Sequence, residues 1–205
     1  MTTQKKMRLD LALIAGMIAP RSRVLDIGCS DGTLIDHLFR TLQCDARGLE
    51  LDMDAVTQAV GFGLPVMQGD ADTDLATYPD GAFDYVVLSR TLQAVEQPRE
   101  VLRQMLRIGT HAIVSFPNFG HWSLRLQLLL NGRMPMTKTW SRMWYETPNI
   151  HPCTIQDFFQ LCKADGYKVE QWLAADDEGA RAPWRRFPAL ANLFGEQGLF
   201  LLRKA

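Results

Sequence analysis

The sequence predicts an α/β fold of three layers, with helices on both faces of a mostly parallel seven-stranded sheet that carries an antiparallel edge strand. Three observations predict it. Short apolar, β-branched runs alternate with amphipathic helical stretches as far as Asn118. Strand–helix alternation calls for parallel strands joined by right-handed crossovers. The last two apolar runs follow one another without a regular helix between them, which puts an antiparallel pair at one edge of the sheet. A chain of 205 residues is the size of one domain, 1–205, with enough core to do without disulfides or a structural metal.

Each element has its own warrant. Leu9, Leu13, Ile14, Met17 and Ile18 recur at helical spacing, and Pro20 stops the pattern. Arg23–Ile27 reads as a short buried strand, followed by a helix from about Asp31 to Leu42. A strand at Ala46–Glu50, a helix at Met53–Phe62 and a strand at Pro65–Gln68 come next. Phe83–Ser89 is apolar and β-branched enough for a central strand. Pro98 stands in the first turn of a helix with Val101, Leu102, Met105 and Leu106 on one face. His111–Phe116 is the next strand, ended by Pro117 and Asn118. Trp122–Asn131 is a strongly apolar helix whose main charge is Arg125. Thr154 is an N-cap, with Asp157 approximating a capping box, for a helix through Lys163 that Gly166 closes. Lys168–Leu173 and Gly198–Arg203 are the last strands, separated by an irregular Arg- and Pro-containing insertion.

Composition excludes more than it assigns. A formal net charge of -1 argues against a nucleic-acid partner held by a large basic surface. Cys29, Cys44, Cys153 and Cys162 form no CxxC pair, as expected of reduced thiols in a cytoplasmic protein without a metal site. No apolar run approaches membrane-spanning length. The N-terminus starts basic and turns apolar, but Asp10 interrupts it and no small-residue cleavage site follows, so a secretory signal is not expected.

The chemistry-bearing segment is VLDIGCSDGTL, residues 24–34: a strand running into spaced glycines and then a helix. Glycines let the backbone approach a ligand, and the helix start presents unpaired N–H groups. Any strand-to-helix turn favours glycine, so the pair Gly28 and Gly32 decides little alone. A dinucleotide loop reads GxGxxG with a pyrophosphate on the helix end. Here Ser30 stands where a middle glycine might, and Asp26 precedes the first glycine. A carboxylate there suits a cation such as an amino acid's ammonium and is poorly placed beside phosphates. The DxGxxxG form favours S-adenosylmethionine over NAD.

Glu50 ends the strand beside the first, about twenty residues on, where its carboxylate can accept both hydroxyls of a ribose. Asp52 and Asp54 are assigned to the start of the following helix. In Gly69-Asp70-Ala71, the Asp can accept from an adenine amino group while the Ala71 N–H meets a ring nitrogen. Ser89-Arg90-Thr91-Leu92 leaves the central strand below the methionine part of the cofactor. Four strand ends thus converge on one crevice. The expected contacts are Asp26, Gly28, Cys29, Ser30, Gly32, Glu50, Leu51, Gly69, Asp70, Ala71 and Ser89, around S-adenosylmethionine or S-adenosylhomocysteine.

These pieces resemble class I methyltransferases: VLDIGCSDG is like their first motif, GLELD their acidic second, and GDAD with FDYVVLSRTL their third and fourth. Residues 118–158, NFGHWSL through TIQDF, resemble the MetW family of methionine biosynthesis proteins. The resemblance implies a three-layer Rossmann-like methyltransferase fold. It also implies a role in methionine biosynthesis in association with homoserine O-acyltransferase. It does not imply methyl transfer, and the alternative is a methyltransferase acting on a small-molecule acceptor. Ser30 departs mildly from many methyltransferase loops but leaves backbone contacts open.

For an acceptor site the candidates are Arg90, His121, Trp122, Tyr145 and His151, each of which also has a packing or turn role available. Residues 118–122 and 134–152 are rich in Trp, Met, Tyr, Pro and His. Such a surface can line an acceptor pocket, cover the cofactor or form an interface centre, and the resemblance favours the interface. A second candidate surface is Gly179–Asn192, with Arg181, Trp184, Arg185 and Arg186.

Overall fold

In a computed structural model, residues 7–137, 140–176 and 187–204 are described. Seven strands form one sheet: β1 (Arg23–Ile27), β2 (Asp45–Glu50), β3 (Val66–Gln68), β4 (Phe83–Ser89), β5 (Gly109–Pro117), β6 (Tyr167–Ala175) and β7 (Gln197–Lys204). Their spatial order is β3-β2-β1-β4-β5-β7-β6. The first five are parallel, with Asp26 level with Gly48 on β2 and Val87 on β4. β7 runs antiparallel between β5 and β6, so the sheet ends in the expected antiparallel pair. The order reverses between β1 and β4, the switch point where open α/β sheets hold ligands beyond the carboxyl ends of their strands.

Side-chain alternation sorts the core into two layers. Leu25, Ile27, Val86, Leu88, Val114 and Phe116 pack against α4 (Pro98–Ile108) and α6 (Ile155–Ala164). Val24, Val87 and Ile113 on the opposite face pack against α1 (Leu9–Ala15), α2 (Thr33–Leu42) and α3 (Met53–Gly61). Burying each such Leu, Ile or Val contributes about 1.5–3 kcal/mol. The period-two alternation sends Asp26 to the α1–α2 side.

Most local signals act as the sequence implies. The Asp52 side chain caps α3 by accepting the Asp54 N–H, and Thr154 with Asp157 closes a reciprocal capping box on α6. Gly166 adopts φ +70 just past that helix. One expectation is corrected. The stretch before β7 is not wholly irregular, because α7 (Pro188–Phe194) occupies it. Seven residues are too few to show a helical period, and tertiary contacts supply the stability that so short a helix lacks. Asn118 provides several of them. Nearly fully buried, it donates from Nδ2 to the carbonyls of Asn192 (2.8 Å) and Gly195 (2.7 Å). Its Oδ1 accepts from Gly120 N and Ile155 N. One side chain thereby joins the end of β5, the start of α6 and the end of α7. Arg181, Trp184, Arg185 and Arg186 lie outside the described residues.

The helix α5 (Trp122–Asn131) buries only Leu124, while Leu129 and Leu130 are 80% and 71% exposed. Among the described residues no helix is long and apolar enough to cross a membrane.

Candidate functional site

The loop from β1 to α2 passes through the left-handed region three times, at Gly28 (φ +68), Ser30 (φ +51) and Gly32 (φ +74). A Cβ on Gly28 would lie 2.5 Å from Thr91 Oγ1, and one on Gly32 2.5 Å from Leu64 Cδ1, so a side chain at either would displace its neighbour and carry the left-handed backbone cost. Ser30 carries the conformational cost that glycine avoids, roughly 1–2 kcal/mol. Glu50 holds it there. Its Oε2 accepts the Ser30 N–H at 2.7 Å, while Oε1 accepts the Asp52 N–H at 3.0 Å. Gly28 N–H bonds Leu49 O at 2.8 Å, and Gly69 N–H bonds Glu50 O at 2.9 Å, so the ends of β1, β2 and β3 are laced together.

Asp26, on β1, is 2% exposed, and its Oδ1 has no hydrogen-bond partner among the described residues. Burial raises its pKa to about 7; nearby Arg8 opposes the rise and Glu50 adds to it. Asp26, Gly28, Cys29, Ser30 and Ser89 line one cavity of about 160 Å³ together with Arg8 and Asp31. Cys29 is buried, and its Sγ fills the space that a Cβ on Gly48 would need. Burial pushes its thiol far above the usual range, so it packs rather than reacts.

Gly32, Glu50, Leu51, Gly69, Asp70 and Ala71 do not line that cavity. Asp70 Oδ1 accepts the Asp72 N–H at 2.9 Å, and Asp72 in turn accepts the N–H groups of Glu96 and Gln97, both at 2.9 Å. Leu51 is 65% exposed beyond Glu50.

Sequence reasoning missed Arg8 and Asp10. Asp10, almost fully buried in α1, accepts from Arg8 Nε and Nη2 at 3.2 Å and lies 3.0 Å from Arg90 Nε. Arg8 Nη2 reaches Ser89 Oγ at 3.3 Å, which ties α1 to the end of β4. The available signal was an Asp on the apolar side of the first helix, since acids are almost never buried without a partner.

A second pocket, of about 1310 Å³, adjoins the first through Arg8. Arg90 and Tyr145 line it, whereas His121, Trp122 and His151 do not. His121 caps α5 through Nδ1, 2.7 Å from Ser123 Oγ, and burial lowers its pKa. His151 Nε2 lies 3.2 Å from the Glu96 carbonyl. Among the described residues no group of three His, Cys, Asp or Glu is placed to hold a metal.

The family model described as "Methionine biosynthesis protein MetW" matches residues 8–202. The chain belongs to the MetW family. A relative from Rhodopirellula baltica, "Bifunctional methionine biosynthesis protein MetXA/MetW", is 33% identical over 185 residues, covering 85% of this chain and 30% of that protein. The chain spans about a third of the length of the curated relatives it matches. Family membership gives it a role in methionine biosynthesis.

Among solved structures, a SAM-dependent methyltransferase from Archaeoglobus fulgidus is similar with a TM-score of 0.64 and 15% identity, covering 95% of this chain and 94% of that one. The [4+2]-cyclase SpnF is similar with a TM-score of 0.65 and 16% identity, covering 95% and 80%. This is the Rossmann-like methyltransferase fold. Since one of these neighbours is named a cyclase, the fold does not fix the reaction.

Proposed function

We propose that this MetW-family protein binds S-adenosylmethionine, or its demethylated product, and associates with a homoserine O-acyltransferase whose activity it supports. The observation that carries the reading is the relative that joins MetXA and MetW in one polypeptide. Modules fused in one protein are held at high effective concentration, which separate chains can match by direct association.

The crevice supplies the cofactor half. The residues present fit the group: Asp26 Oδ1 is a buried acceptor without a donor, in a cavity sized for the amino-acid end rather than the whole cofactor. The ammonium would meet Asp26, the ribose hydroxyls the remaining lone pairs of Glu50, and the adenine the exposed Leu51 near Asp70 and Ala71. Bound there, the cofactor would supply an activated methyl group or a metabolic signal. Backbone N–H groups after Gly28 and the Ser89 hydroxyl would orient its carboxylate end. The contiguous exposed leucines of α5 offer the apolar face that the acyltransferase would cover.

Purification of the tagged protein with a homoserine O-acyltransferase, then acyltransferase assays with and without cofactor, tests both halves. No complex and no change in rate would overturn the partner role. A second reading, a small-molecule methyltransferase, is favoured by the large pocket that shares Arg8 with the crevice. Turnover of labelled S-adenosylmethionine with a metabolite extract distinguishes it.

A further inference from the structure

The large pocket has a one-sided chemistry. Arg8, Arg90, Arg133 and Arg142 line it, and among the described residues no Asp or Glu does. Asp10 stands behind Arg8 and Arg90 and offsets one of those two charges. Arg133 and Arg142 are both exposed and have no acidic partner among the described residues. Guanidinium groups gathered round one concavity focus a positive potential into it, which draws anions and repels cations.

The rest of the wall is apolar or aromatic: Met134, Met136, Met143, Trp140, Trp144 and Tyr145. Such a wall is unsuited to a bare inorganic anion, whose hydration it cannot replace, and suited to a hydrocarbon or thioether body. Trp140 is 9% exposed, and its buried indole N–H has no acceptor among the described residues. Forked guanidinium donors match the two oxygens of a carboxylate.

We propose that this pocket is a second ligand site, separate from the crevice, that takes a small organic carboxylate with an apolar body. Arg133 and Arg142 hold the carboxylate, and the Trp and Met side chains cover the body. The assignment is independent of cofactor binding, because no crevice residue other than Arg8 contributes to the wall.

The test titrates the intact, cofactor-free protein with 3-phenylpropionate, followed by calorimetry and by the fluorescence of Trp140 and Trp144. We expect saturable binding that weakens about tenfold or more in Arg133→Gln/Arg142→Gln, the scale of a lost charge-assisted hydrogen bond. The neutral 3-phenylpropionamide should bind about tenfold more weakly or worse, and inorganic phosphate should not displace the acid. Glu50→Ala, in the crevice, should bind the probe as the unaltered protein does, even if the cofactor assignment fails. Absence of saturable binding, equal binding of acid and amide, competition by phosphate, or an unaffected double variant with an unchanged melting curve would each overturn the proposal.

Discussion

Glu50 Oε2 accepts the backbone N–H of Ser30 at 2.7 Å, joining the ends of two adjacent strands through a loop residue in the left-handed region. The carboxylate expected to meet a ribose therefore also holds the loop that would cradle the rest of the cofactor.

Replacing Glu50 consequently has two effects. Glu50→Ala should weaken S-adenosylmethionine binding by about 1.5–3 kcal/mol, the range for hydrogen bonds to a charged group. It should also lower Tm, because Ser30 loses its acceptor. Calorimetry on folded protein checks the first effect and thermal melting the second. Unchanged affinity would show that Glu50 is only a brace.

Asp26 gives the protein a pH dependence of defined sign. Its carboxyl titrates at about 7 in the folded chain against an ordinary 3.8. Between these values the unfolded chain holds fewer protons, so stability falls as pH rises through that window and the loss is complete above it. A cofactor ammonium beside Asp26 favours the ionised form, so binding releases a proton. Affinity should rise by about tenfold per pH unit below 7 and level off above. Asp26→Asn should flatten both profiles, as melting and calorimetry across pH 5–8 would reveal.

Gly28 faces Thr91. Gly28→Ala puts a methyl 2.5 Å from Thr91 Oγ1 at φ +68 and should destabilise the fold and abolish cofactor binding. Adding Thr91→Ala removes Oγ1 and Cγ2 but keeps Cβ at 3.2 Å, so it should recover most of the steric part and leave about 1–2 kcal/mol of backbone cost. A double-mutant cycle in urea measures both, and strict additivity would remove the claimed contact.

Leu129 and Leu130 bury little in the isolated protein. Leu129→Gln with Leu130→Gln should shift stability by no more than about 0.5 kcal/mol each, yet prevent co-purification with the acyltransferase. Retained complex formation would exclude this face. A change only in the protein's own sedimentation would make the occupant a second copy.

Strands β1 and β4 were legible to the residue because each is a short apolar run bounded by turn-formers. The left-handed loop from β1 to α2 was legible for the same reason: its spaced glycines are a local signal within one β–loop–α unit. α7 was not legible, since seven residues carry no periodicity and its stability comes from Asn118, 70 and more residues away in sequence. Arg8 was invisible in the same way. Nothing next to it in the chain says that Ser89 will be its neighbour.

The sequence by itself determined the α/β architecture, the family and the DxGxxxG loop with its acidic companion at Glu50, because each is written in the spacing of adjacent residues. Tertiary structure alone decided that Glu50 would brace Ser30, that Asp10 would hold Arg8 and Arg90 together, and that four arginines would share one pocket. Those relationships arise between strand ends and loops that only the closed sheet brings within hydrogen-bonding reach.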